Sequence, residues 1–152
     1  IRAFCRQCSV GEMVRWLYDL YESLPEDCSV SFYMEANFMQ DTILDEFQRE
    51  GDLRGYQLPI MPDTRKKPDK FARIEAISPL WERGFVWYNI KYKDDVDMKT
   101  SIDQTLSFEQ GSRAHDDSPD ADEGAIYKLQ KQVRQDTLPP RLGVRQPPQE
   151  RW

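Results

Sequence analysis

Between Val30 and Phe47 the chain changes its hydrophobic period, and that change limits the folds open to it. Val30-Ser31-Phe32-Tyr33-Met34-Glu35 alternates apolar with more polar side chains. The alternation predicts a strand with Val30, Phe32 and Met34 on one face and Glu35 off that face at the carboxyl end. Ala36, Asn37 and Phe38 lead into a stretch carrying Ile43, Leu44 and Phe47, a helix ended near Gly51 to Gly55. Strands alternating with helices in this way predict an α/β sheet covered by helices on both faces, with ligand sites at the strand carboxyl ends. Glu35 stands in such a place.

The remaining elements follow from the same periods. Ser9 and Glu12 form a capping-box pattern, and Met13, Leu17, Leu20, Tyr21 and Leu24 line one face of a helix that Pro25 closes. Ile1 to Cys5 reads as a strand entered midway, so a fragment of a longer chain is expected; Tyr56 to Met61 and Phe85 to Tyr88 read as further short strands. Phe71, Ile74, Ile77 and Trp81 mark a helix bent or ended at Pro79, and Met98, Ile102 and Leu106 mark another before Gly111. The last helix is expected from about Pro119 to Arg134, with Ser118 as its cap and Pro119 as its first residue. Residues 1–135 are expected to form one domain, and the Pro-rich residues 136–152 a flexible tail.

A chain of 152 residues, 39% hydrophobic, can bury a sizeable core. It has no apolar run long enough to span a bilayer and no signal-peptide layout, so no membrane partner is expected. Cys5, Cys8 and Cys28 lack the second pair or His that would complete a zinc site, and are read as reduced thiols. The net charge of −6 argues against a surface coated for nucleic acid. Basic residues nevertheless collect at Arg65, Lys66, Lys67, Lys70 and Arg73. Such a segment is either a solvated face or a patch that steers phosphates.

Carboxylates are concentrated in His115-Asp116-Asp117-Ser118-Pro119-Asp120-Ala121. A helix start favours negative charge, but three aspartates within five residues repel one another. The cluster is either a solvated cap or one part of a divalent-cation site, with Glu35 as a second carboxylate far upstream.

Three motifs in order carry a family resemblance over residues 1–135. They are Tyr33-Met34-Glu35-Ala36-Asn37; Lys70-Phe71-Ala72-Arg73-Ile74 with Pro79-Leu80-Trp81-Glu82-Arg83-Gly84; and Gln104-Thr105-Leu106-Ser107-Phe108 leading to the acidic cluster. The chain resembles the C-terminal nuclease domain of the large terminase subunit of tailed bacteriophages and prophages, within the ribonuclease H-like superfamily. That resemblance implies a ribonuclease H-like mixed sheet flanked by helices and lacking its first strands, with the family's first metal-binding aspartate upstream. It implies two Mg2+ or Mn2+ ions on Glu35 and Asp117, with Asp120 and Asp116 as neighbours sharing the role, and His115 and Asn37 behind the ligands. It also implies Lys66, Lys67, Lys70 and Arg73 on DNA phosphates, and cleavage of concatemeric double-stranded DNA. The partners implied are the small terminase subunit and the capsid portal, in the cytoplasm of the bacterial host. A non-catalytic prophage remnant that binds DNA or a packaging partner, and a resolvase or transposase core, are the alternatives. Trp81 and Phe85 are read as core side chains rather than base-stacking ones.

Overall fold

A computed structural model describes residues 1–111 and 114–136, and in it the chain divides into two compact units, residues 4–69 and residues 1–3 with the chain from Lys70 onward. Among the described residues it is a mixed α/β structure of five α-helices and one two-stranded parallel sheet. The tail expected over 136–152 lies, beyond Asp136, outside the described residues.

The first unit runs α1 (Val10–Glu22), β1 (Phe32–Glu35), α2 (Asp41–Arg54), β2 (Ile60–Asp63). Ser9 starts α1 by accepting the Glu12 N–H on its hydroxyl at 3.2 Å. Gly55, in the left-handed region at φ 80°, ends α2 by returning its N–H to the Gly51 carbonyl, and a Cβ there would be strained. The helix α2 and a 3-10 turn at Ala36–Phe38 supply the crossover that two parallel strands require.

The core of this unit is Val14, Tyr18, Phe47 and Leu58, with Met13, Leu17, Phe32, Met34, Ile43 and Ile60 packed around it. Val14 and Tyr18 are the fully buried positions of α1, so its inward face is centred one residue beyond the predicted Met13-Leu17 line. The buried Tyr18 hydroxyl donates to the Phe47 carbonyl at 3.1 Å and accepts the Leu58 N–H at 3.4 Å, which lets a phenol occupy a core.

The second unit runs α3 (Lys70–Glu82), α4 (Val96–Leu106), α5 (Asp117–Asp136), with α5 packed against both α3 and α4. Pro79 neither ends nor replaces the last turn of α3, which continues to Glu82. The stop comes from Gly84 at φ 70°: its N–H reaches the Trp81 carbonyl and the Phe85 N–H reaches the Leu80 carbonyl, a Schellman closure. Asp95 caps α4 by accepting the Asp97 and Met98 amides.

Three expectations are corrected. The sheet has two strands rather than a set covered on both faces, and neither Ile1–Cys5 nor Phe85–Tyr88 is a strand. The Ile1 nitrogen donates to the Trp87 carbonyl and the Asn89 N–H donates to the Ile1 carbonyl, a parallel-type pair of bonds that goes no further. Ser118 does not cap α5, because the helix begins at Asp117 and the Asp120 N–H bonds back to the Asp116 carbonyl. Ser118 is instead buried against α4, its hydroxyl bonded to that of Ser101 and its N–H given to Gln104 Oε1 at 2.9 Å.

Candidate functional site

The two sets of expected ligands fall in different units, Glu35 in the first and Asp116, Asp117 and Asp120 in the second. Each is built by its own local structure.

Glu35 is the last residue of β1, and the parallel register sets it opposite Asp63, the last residue of β2. Paired residues of neighbouring strands project to the same side, so two carboxylates stand at the carboxyl edge of the sheet. Lys67, in the loop leaving β2, is ion-paired with Glu35. Asp63 Oδ1 accepts the Arg65 N–H at 3.2 Å and holds the start of that loop. Asn37 is exposed in the 3-10 turn that follows Glu35, and Lys66 is exposed beside Lys67. The sheet therefore delivers Glu35, Asp63 and Lys67 to one edge; Asp63 was not anticipated, because its role follows from register alone.

In the second unit Asp116, Asp120 and Glu123 follow one another at one-turn spacing at the start of α5, facing Lys70 and Arg73 one turn apart on α3. Lys70 Nζ lies 2.7 Å from Asp116 Oδ1 and 3.6 Å from Asp120 Oδ2. Burial pulls the Lys70 ammonium down, but the hydrogen bond it donates to Asp116 and the charges of Asp120, Asp116 and Asp117 outweigh it and hold the group above the usual lysine range. Arg73 Nη2 bonds Asp120 Oδ1 at 2.8 Å while Nη1 bonds Glu123. Asp117 is exposed in the first turn of α5, and His115 is exposed just before it.

The arrangement joins what the sequence had put into separate roles. Lys67, Lys70 and Arg73, expected on phosphates, are paired with carboxylates, three of which were expected on metal. The partner not anticipated is Glu123, buried against Arg73; the i, i+4, i+7 spacing of Asp116, Asp120 and Glu123 was the available signal.

The donors are all hard oxygens, which suits Mg2+ or Mn2+ in chemistry. Among the described residues no group of three or more His, Cys, Asp and Glu side chains converges as a metal-holding set. Cys5, Cys8 and Cys28 are free thiols. No helix among the described residues is long and apolar enough to cross a membrane. No protein-family model, curated protein or solved structure matches this chain.

Proposed function

We propose that the chain is a ribonuclease H-like, metal-dependent endonuclease domain of a viral DNA-packaging terminase, acting on concatemeric double-stranded DNA. The observation that supports it is the place of Glu35 at the carboxyl end of a strand in a parallel strand-helix-strand unit, where α/β proteins bind ligands. In this proposal Glu35 in the first unit, and Asp117 with Asp116 or Asp120 beside it in the second, are the carboxylates that would take Mg2+ or Mn2+. Such ions, when bound, would supply activation of water and stabilisation of the leaving oxygen. Lys66, exposed in the loop after β2, offers a sequence-independent contact to phosphate. Lys67 and Lys70 neutralise their carboxylates until a divalent ion competes for them. Operation in the cytoplasm of a bacterial host, with a small terminase subunit and a capsid portal, belongs to the same proposal.

The test is nicking of supercoiled plasmid in Mn2+ by the chain, by Glu35→Ala and by Asp117→Ala. Cleavage by the parent and loss in both variants is the expected result; equal cleavage in all three would overturn the assignment. The pairing of Glu35, Asp116 and Asp120 with cations favours one other outcome, a non-catalytic module that only binds DNA. Duplex binding with no Mn2+-dependent cleavage in any of the proteins selects that alternative.

A further inference from the structure

The loop from Arg83 to Lys93 carries Phe85, Trp87 and Ile90 at 71%, 74% and 79% exposure, so Phe85 is not the core side chain its sequence predicts. Three large apolar side chains held in water within six residues mark an interaction surface more often than chance exposure does. The connection from α3 to α4, residues 83–95, also carries Arg83, Lys91 and Lys93, all exposed, with the acidic Asp94 and Asp95 at its far end.

The backbone keeps this surface in one shape. Gly84 turns the chain out of α3, the two bonds to Ile1 bracket Tyr88, and the Asn89 side chain caps the 3-10 turn at Ile90–Tyr92 by accepting the Lys91 N–H at 3.0 Å. In extended backbone alternate residues share a face. Val86 and Tyr88 are half-buried, with the Tyr88 hydroxyl donating to Thr105 Oγ1 on α4 at 3.4 Å, while Phe85 and Trp87 are turned outward. The Arg2 guanidinium, 4.5 Å from the Tyr92 ring centroid, adds a cation at the same end of the unit.

We propose that the Arg83–Lys93 loop binds a single-stranded segment of DNA, with Phe85 and Trp87 stacking on unpaired bases and Arg83, Lys91 and Lys93 meeting the backbone phosphates. Aromatic platforms interleaved with cations are the chemistry of single-strand binding, because every base has a π-face and every nucleotide a negative charge. An apolar protein partner would leave the cations of the loop without use, and duplex DNA would leave its rings without use. The proposal rests on the reading that DNA is the substrate, and adds that the domain holds an unpaired stretch of it.

The experiment titrates the full chain into a fluorescein-labelled 20-nucleotide single strand and its duplex, following anisotropy over a salt series. Phe85→Ala/Trp87→Ala is expected to weaken single-strand binding about tenfold or more and leave duplex binding unchanged. Trp87→Phe alone should keep most of the parent's single-strand affinity, and Lys91→Ala/Lys93→Ala should lower the single-strand salt slope by about 1.4. Because these side chains are exposed, unchanged circular dichroism is expected in each variant. Single-strand affinity unchanged in the double aromatic variant overturns the proposal. So does a concentration-dependent dimer, abolished by that variant, with oligonucleotide binding intact; the face then joins two copies. Loss of the aromatic effect while Mn2+-dependent nicking persists refutes this inference alone. Absence of both nicking and duplex binding refutes the nuclease proposal, and the single-strand titration still decides this one.

Discussion

Replacing Arg73 by Ala tests whether the α3–α5 junction is held by a buried ion cluster. The Arg73 and Glu123 side chains are each only 7% exposed, and Arg73 spans Glu123 and Asp120 with its two terminal nitrogens. Removing the guanidinium takes its cation away from two carboxylates on α5, one of them almost fully buried, and leaves a void on α3. Breaking a buried pair from one side costs about 3–5 kcal/mol, against about 0–1 kcal/mol for an exposed pair. The loss is a large fraction of the roughly 5–15 kcal/mol that holds a domain folded. Arg73→Lys is expected to recover only part, since an ammonium cannot match the two-pronged geometry. Arg73→Met/Glu123→Met should cost less than Arg73→Ala alone, because no fully buried charge is left unpaired and Lys70 still stands 3.6 Å from Asp120. Urea unfolding at neutral pH, followed by circular dichroism, measures each difference from the midpoint at constant slope. A loss below about 1 kcal/mol for Arg73→Ala, or a double variant worse than the single one, would refute the reasoning.

Three further outcomes are expected. One carboxyl oxygen of Asp122 is buried with no hydrogen-bond partner among the described residues, and burial pushes the group up to about 6 from 3.8. The folded state then holds a proton that the unfolded state releases, so stability falls as pH rises through that window. Asp122→Asn should remove the fall and gain about 3 kcal/mol at pH 7, read from unfolding at pH 4 and pH 7. Glu22 behaves in the opposite sense: hydrogen bonds from Arg54 and then from the Tyr56 hydroxyl hold its carboxyl below the usual 4.5. Its contribution is complete above that value and is lost as pH falls through the lower folded one, and Arg54→Met should flatten acid unfolding of the first unit over that range. Lys67→Ala frees Glu35 from its ion pair, so the Mn2+ concentration needed for half-maximal thermal stabilisation should fall; an unchanged midpoint would remove Glu35 from the metal assignment.

The local elements were legible because their causes are local. The Ser9 cap, the Gly55 stop and the alternation ending at Glu35 each depend on residues a few positions apart, and each is found close to its predicted place. The strands expected at Ile1–Cys5 and Phe85–Tyr88 meet only through the two bonds at Ile1, and a strand exists only when a second backbone satisfies its hydrogen bonds along its length. The continuous apolar run Phe85-Val86-Trp87-Tyr88 also gave no sign of which side faces water, because period two marks opposite faces without ranking them.

The acidic cluster and the basic segment show the same division. Composition and spacing placed Asp116, Asp117 and Asp120 at a helix start and Lys66, Lys67, Lys70 and Arg73 in one stretch, which follows from the chain's own order. Which charge meets which depended on packing α5 against α3, which pairs Lys70 with Asp116 and Arg73 with Asp120 and Glu123 across 46 to 50 residues of chain. Coulomb attraction is strong only over a few ångströms, and sequence separation does not measure that distance. The sequence by itself therefore determined the chemical character of the site, hard oxygen donors beside cations. Only the tertiary structure decided that Asp63 joins Glu35 at the sheet edge, that Glu123 anchors Arg73, and that Asp117 remains exposed at the start of its helix.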